Sequence, residues 1–239
     1  MLNKKTLTEQ YPGEPYSLLI KREYIMKTFK RLTAIITILL TLSCVAFAQA
    51  APKEVKLNPA EKKLLNTFFS NFSEALVEPF EKDEFSDAAI VQFCITHNYI
   101  NNYRFFVKGG DEYQVKIKAS FIDSTALKFF GRKIVKHQSI GEIDYKNGWY
   151  YTTDATGEAY FFSQIVNLYD NGNSMYTATV NVYAAGSGWT GNVHGDEKEW
   201  KKASPDDVPE ISEVMKCTLQ KVKENGKSRY ILVDYIKVK

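Results

Sequence analysis

The spacing of apolar residues changes near residue 143, and this change restricts the fold more than any other feature of the sequence. Before it, large apolar side chains recur at three- and four-residue steps, as they do on one face of a helix. After it, apolar and polar residues alternate, as they do on strands with one buried face. Helices grouped first and strands afterwards are typical of the α+β class. We therefore expect N-terminal helices packed on a curved antiparallel sheet.

Three helices are expected before the sheet. The first begins after Asn58, because Asn58, Pro59 and Glu61 supply an N-cap, a first-turn proline and a capping box. Its buried face is a stripe of apolar residues, namely Leu65, Phe68, Phe69, Phe72, Leu76 and Phe80. A second helix is expected from Ser86, and a third is expected to end at Gly131, which suits a left-handed C-terminal cap. No strand is expected before the end of the third helix.

Turn sequences in the second half predict antiparallel hairpins. The paired segments are 143–146 with 149–153, 159–169 with 175–184, and 215–219 with 229–238. Residues 186–210 are too many for an ordinary connection between strands. We interpret them as a long loop that the fold does not require.

Residues 26–50 have the order of a secretory signal. Basic residues come first, at Lys27, Lys30 and Arg31. An uncharged run over residues 32–42 follows, and Ala48 and Ala50 supply the small residues of a cleavage site. The run has 11 residues, whereas a helix needs about 20 to cross a membrane. We expect an exported protein, periplasmic or extracellular, that has no membrane span and begins at Ala51 after processing.

The expected domain organisation follows from this signal. Residues 1–25 are polar and lack periodicity, so Met26 is interpreted as the real start and the preceding stretch as a non-native or untranslated extension. Residues 51–239 form a single α+β domain with the long loop at 186–210. Cys44 raises the alternative of a lipid anchor, but residues 41–43 fit a lipoprotein signal poorly.

The charge balance of residues 51–239 argues against two classes of partner. Residues 51–239 carry 24 basic and 25 acidic side chains, so their formal charge is −1. This balance argues against a nucleic-acid or membrane-surface partner.

Cys94 and Cys217 both fall on apolar faces and are expected to be separate buried thiols. A disulfide between them stays open as an alternative, because the exported compartment permits it.

Two segments carry a resemblance to a known family. The aromatic helix end FIDSTALKFFGRKI (residues 121–134) and the closing hairpin CTLQKVKENGKSRYILVDYIKVK (residues 217–239) are similar to exported bacterial members, of unknown function, of the nuclear-transport-factor-two-like (cystatin-like) superfamily. The resemblance implies a sheet that wraps around the first helix as a cone, with an apolar pocket at its open end. No enzyme motif of the superfamily matches the chain, so no catalytic residue is carried over.

Three residues are candidate ligand contacts. His97 shares the apolar stripe of the second helix, so it is either an acid or base facing a pocket or a buried core histidine. Trp189 and Trp200 lie in the glycine-rich loop. Exposed tryptophans there would bind a sugar or a partner, whereas buried ones would cover the domain's own apolar surface.

Other polar groups carry weaker signals. His194, Asp196 and Glu197 are of the residue types that hold divalent cations, but their spacing matches no metal signature. Neither a metal nor a cofactor is expected. Asp123 and Asp154 are the acids eligible for acid–base chemistry, and each is also explained as a surface or turn residue.

Three functions stay open at this point. The leading hypothesis is an exported, non-enzymatic binding or interaction domain whose small-molecule or protein ligand is unknown, with the cone pocket and the 186–210 loop as contact surfaces. The first alternative is a small-molecule acid–base enzyme of the isomerase or dehydratase type that uses the pocket. The second is an inhibitor or immunity protein that binds another exported protein.

Overall fold

The computed structural model describes residues 51–82, 84–110, 112–153 and 160–238, together with residues 21, 24–26 and 28–29. The chain divides into two compact units, residues 1–50 and 51–239. In the first unit the described residues are helical and exposed. Cys44, Ala48 and Ala50 lie outside the described residues. Within the part of the chain that is described, no helix is long and apolar enough to cross a membrane.

The second unit contains both helices and strands, which confirms the α+β class. In chain order its elements are β1 Lys53–Glu54, α1 Pro59–Glu74, α2 Asp87–Asn101, β2 Phe106–Lys108, β3 Val115–Lys118, α3 Ala119–Phe130, β4 Asp144–Lys146, β5 Trp149–Thr152, β6 Tyr160–Asp170, β7 Met175–Ala185, α4 Glu197–Trp200, β8 Glu210–Glu224 and β9 Lys227–Lys237. Single 3₁₀ turns lie at Tyr103–Phe105 and Pro205–Asp207.

The strands form two antiparallel sheets. The larger sheet has the order β1-β6-β7-β8-β9, and the smaller one has the order β2-β3-β5-β4. The expectation that no strand precedes the end of the third helix is wrong, because β1, β2 and β3 all precede it. These strands have only two to four residues each, which is too short for a period of two to show in the sequence.

The helix boundaries predicted from capping residues are confirmed. At α1 the Glu61 amide donates to Asn58 Oδ1 (2.9 Å) and the Asn58 amide donates to Glu61 Oε2 (3.0 Å), which completes the capping box. At α2 the amide of Ala89 donates to Ser86 Oγ (3.2 Å). Gly131 ends α3 with φ 69°, a left-handed conformation that glycine adopts without strain.

The aromatic face of α1 fills the core. Phe72 is fully buried. Its ring lies 5.1 to 6.2 Å from the rings of Phe93, Phe129, Phe130 and Tyr235, which belong to α2, α3 and β9.

Cys94 and Cys217 are buried and unpaired, so the prediction of separate thiols is confirmed and the disulfide alternative is wrong. The alternation expected after residue 143 is seen in β7, where Ala178, Val180 and Val182 are buried and Tyr176 is partly buried.

Polar side chains of α1 satisfy the backbone of β6 where β1 does not pair with it. The amide of Ser163 donates to Ser70 Oγ (2.9 Å), and the amide of Ile165 donates to Asn66 Oδ1 (2.9 Å). The side chain of Ser163 also donates to Ser73 Oγ (3.0 Å). A buried strand edge with unpaired amides would be costly, so these contacts fix α1 against the larger sheet.

Candidate functional site

A groove of about 560 Å³ lies between the N-terminal half of α1, the end of α3 and the strand ends of the larger sheet. We call it the helix–sheet groove. Its apolar lining residues are Val55, Leu57, Leu64, Leu65, Phe68, Phe129, Tyr176 and Tyr230. Its charged lining residues are Glu61, Lys128, Asp170, Lys221 and Arg229. The volume falls in the range of sites that hold small organic ligands.

The apolar side of the groove combines α1 with two tyrosines of the sheet. Leu64 and Phe68 occupy positions one turn apart on α1, and Leu64 is 71 % exposed. Tyr176 and Tyr230, on β7 and β9, meet edge to face with ring centroids 5.4 Å apart. An exposed leucine beside aromatic rings in a concave surface is apolar area that a ligand can cover.

Two lysines place ammonium groups at this apolar surface. The Nζ of Lys128 lies 4.7 Å from the centre of the Phe129 ring, and the Nζ of Lys221 lies 5.7 Å from that of Tyr230. Among the described residues, no carboxylate oxygen lies within 4 Å of either ammonium. Desolvation and the nearby guanidinium of Arg229 lower the pKa of Lys128. A negatively charged ligand group would relieve that unfavourable environment.

The other charged groups of the groove already have partners. Arg229 contacts Glu224 Oε2 through Nε (3.2 Å) and donates from Nη1 to the carbonyl of Lys128 (2.6 Å). Glu61 closes the capping box of α1, and Asp170 accepts from the amide of Gly172 (2.8 Å). The ammonium groups of Lys128 and Lys221 are therefore the charges that this groove offers to a ligand. This arrangement suits binding of an amphipathic anion better than acid–base catalysis.

His97 lies behind the groove and not in it. It is buried, stacked on Phe93, and edge-on to Phe129 with ring centroids 4.7 Å apart. The amide Nδ2 atoms of Asn101 and Asn102 lie 3.3 and 3.5 Å from its ring nitrogens. Desolvation, followed by the charge of Lys128, lowers the pKa of His97 to about 4. His97 is thus a neutral core histidine that supports Phe129, a groove residue.

Trp189 and Trp200 cover the domain's own apolar surface. They are only 6 % and 2 % exposed and form a separate small cluster with Phe162 and Tyr183. Trp189 stacks on Phe162 with ring centroids 5.1 Å apart, and Trp200 meets the same ring edge-on at 5.3 Å. Neither tryptophan lines the helix–sheet groove. Their burial argues against the expectation that the fold does not require the 186–210 loop, because through them the loop carries part of the core.

The 186–210 loop lines a second, polar groove of about 690 Å³ together with α1. His194 lies there with Lys63, and desolvation and that lysine lower the pKa of His194. Asp196 is occupied as the N-cap of α4, where it accepts from the amide of Glu199 (3.0 Å). Throughout the described ranges, no three His, Cys, Asp or Glu side chains are grouped so that they could hold a metal ion.

Asp123, one of the two acids named from the sequence, does not line the helix–sheet groove. Asp123 Oδ1 accepts from the amide of Ile134 (3.2 Å) and lies 3.5 Å from Nε2 of His137. Nδ1 of His137 in turn lies 2.9 Å from the hydroxyl of Tyr150, whose side chain is fully buried. These contacts through Asp123, His137 and Tyr150 hold the segment after α3 against the smaller sheet. Asp154 lies outside the described residues.

The sequence pattern did not predict that Lys128 and Lys221 belong to a candidate site. Lys128 and Lys221 lie far apart in the chain, on α3 and β8, and only the fold brings them to one groove. A usable signal was present, since Lys128 directly precedes Phe129 at a helix end and Lys221 lies opposite Tyr230 in the closing hairpin.

Comparison with known proteins identifies no family and no relative of this chain. Neither a protein-family model, nor a curated protein, nor a solved structure matches the chain.

Proposed function

We propose that this protein is an exported binding domain whose helix–sheet groove holds a small amphipathic anion, a medium-chain carboxylate being the simplest example. In this proposal the larger sheet curves around α1 as a cone, and the groove is its open end. The signal at residues 26–50 directs the chain to the periplasm or the extracellular space without a lipid anchor at Cys44. The division of the chain after Ala50 supports this reading of where the functional domain begins.

The observation that carries the proposal is the pair of ammonium groups, Lys128 and Lys221, at this groove, where no carboxylate oxygen of a described residue lies within 4 Å of either one. A bound carboxylate would supply the missing counter-charge, and hydrogen bonds to charged groups contribute about 1.5–3 kcal/mol. An alkyl chain over Leu64, Phe68 and Tyr230 would displace water, which contributes about 0.8 kcal/mol for each buried methylene before ordering costs are subtracted. Neither contribution alone suffices for tight binding, so the ligand needs both parts.

Calorimetric titration of the full chain with decanoate and with decanol separates the two contributions. We expect decanoate to bind about tenfold more tightly than decanol, since only decanoate pairs with the lysines. Lys128→Gln should weaken decanoate binding about tenfold and leave decanol binding unchanged. Lys116→Gln is the matched control, because the Lys116 ammonium also lies over aromatic rings, those of Trp149 and Tyr151, but outside the groove.

Two results would contradict the proposal. Equal affinity of the wild-type chain for decanoate and decanol would show that the ammonium groups do not take part. Equal losses in Lys128→Gln and Lys116→Gln would show a general charge effect and not a site.

A further inference from the structure

A third groove, of about 870 Å³, lies beside the C-terminal end of α1. It is bounded by α2, by residues 140–143 and by the first residues of β6, and its apolar lining includes Ile95, Tyr99, Ile143 and Phe161. It shares no lining residue with the helix–sheet groove. Two carboxylates line it, Glu74 and the exposed Glu142, and we call it the Glu74 groove.

Glu74 is placed where a carboxylate is electrostatically unfavourable. It is the last residue of α1, so it lies at the negative end of the helix dipole. Desolvation raises the pKa of its carboxyl group, and a hydrogen bond with the side chain of Asn101 offsets only part of this effect. Across the described residues, no Lys, Arg or His nitrogen lies within 4 Å of this carboxylate.

The residues after Glu74 place apolar surface at the same groove. Leu76 has φ 51°, in the left-handed region that favours glycine, and its amide donates to the carbonyl of Ser73 (3.1 Å). In this conformation the Leu76 side chain lines the groove and stays 64 % exposed. Ile100, on the last turn of α2, also lines the groove and is exposed. A strained, exposed leucine and a poorly solvated carboxylate in one groove are features that folding alone does not require.

We propose that the Glu74 groove binds a small apolar primary amine as its ammonium ion, with the Glu74 carboxylate as the acceptor. The ammonium supplies the counter-charge that no described residue gives Glu74, and the apolar part of the amine covers Leu76 and Ile100 and packs against Tyr99. Charge complementarity selects the class of ligand, because a neutral or anionic molecule of the same shape leaves the carboxylate unpaired or repels it. This site is independent of the helix–sheet groove, so either can fail without the other.

The test is calorimetric titration of the full chain with 4-phenylbutylamine and with its neutral analogue 4-phenylbutanol. We expect the amine to bind about tenfold more tightly than the alcohol. Glu74→Gln should reduce amine binding to the level of the alcohol while alcohol binding stays the same. Glu78→Gln is the matched control, because Glu78 is an exposed carboxylate that does not line this groove, and its removal should change amine affinity less than about threefold.

A second variant tests the site without removing the carboxylate. Ile100→Lys places an ammonium at the groove on an exposed position in the last turn of α2, where a lysine is compatible with the helix dipole. It should compete with the amine and weaken its binding about tenfold, with the far-ultraviolet circular dichroism unchanged. Equal binding of amine and alcohol by the wild-type chain would overturn the proposal. So would wild-type affinity for the amine in both Glu74→Gln and Ile100→Lys.

Discussion

The indole Nε1 of Trp200 donates a hydrogen bond of 2.8 Å to the backbone carbonyl of Asn192, eight residues earlier in the same loop. Trp200 also packs edge-on against Phe162 of the larger sheet, so one side chain both closes the loop and joins it to the domain. Trp200→Ala should therefore lower the free energy of unfolding by about 3–5 kcal/mol, measured by urea denaturation.

Trp149 provides the comparison for that measurement. It is only partly buried, on β5, with the ammonium groups of Lys116 and Lys118 over its ring. Trp149→Ala should lower the free energy of unfolding clearly less than Trp200→Ala, because less apolar surface is lost.

Deleting residues 189–200 should unfold the domain. A stable deletion variant would contradict the assignment of Trp189 and Trp200 to the core.

The aromatic face of α1 should matter more for stability than either thiol. Phe72→Ala removes a fully buried ring that contacts Phe93, Phe129 and Tyr235, at a cost of about 3–5 kcal/mol. Cys94→Ser should cost less, since it changes one buried atom. Because Cys94 and Cys217 are free, added reductant should not change the melting temperature of the domain. A lower melting temperature in reductant would reveal a disulfide and contradict this structure.

Burial of His97 makes the domain less stable in weak acid. Its pKa is about 4 in the folded state, whereas an unperturbed histidine has a pKa of 6.5, so the unfolded chain binds a proton more readily. The contribution is fully present above pH 6.5 and is lost as the pH falls toward 4. Between pH 7 and pH 5 we expect a loss of about 2 kcal/mol from this group.

Urea denaturation of the wild-type chain and of His97→Gln at pH 7 and pH 5 measures this contribution. The variant should lose less than half as much stability as the wild type over that interval. His194→Gln is the control, because His194 is less buried and its substitution should change the slope less. An unchanged slope in His97→Gln would mean that His97 binds protons equally in the folded and the unfolded chain, and would contradict the lowered pKa.

Export predicts a defined N-terminus. After expression in a bacterial host that secretes the chain, the mature protein should begin at Ala51, because signal peptidase requires small residues at Ala48 and Ala50. Intact mass spectrometry and N-terminal sequencing provide the measurement. A chain that begins at an acylated Cys44 would support the lipid anchor, and an unprocessed chain would contradict export.

Local signals predicted the parts of the fold that depend on neighbouring residues. Asn58 and Ser86 mark helix starts and Gly131 marks a helix end because capping is satisfied within one turn of chain. The hairpin turns are likewise encoded by a few residues, as at Asn147 and Gly148. In the smaller sheet the β4–β5 hairpin was predicted, but β2 and β3 were missed. Both strands are short, and β3 pairs with a strand far along the chain, as Val115 does with Thr152.

The candidate site was not predictable to the same extent. Lys128 and Lys221 look like ordinary surface lysines in the sequence, and their shared groove depends on how α3 packs against β9. Trp189 and Trp200 were candidate ligand contacts because tryptophans in a glycine-rich loop are often exposed. In the folded domain they cover an apolar surface formed by Phe162 and Tyr183. Burial is a property of the assembled domain, and composition alone did not determine it.

A titration of ¹⁵N-labelled protein with decanoate, followed by amide chemical shifts, measures whether the helix–sheet groove holds an amphipathic anion. We predict saturable shifts at Leu64, Phe68, Lys128 and Tyr230. In Lys128→Gln, half-saturation should require about tenfold more decanoate. Shifts confined to the cluster of Trp189 and Trp200, or no saturable shifts at all, would contradict binding in this groove.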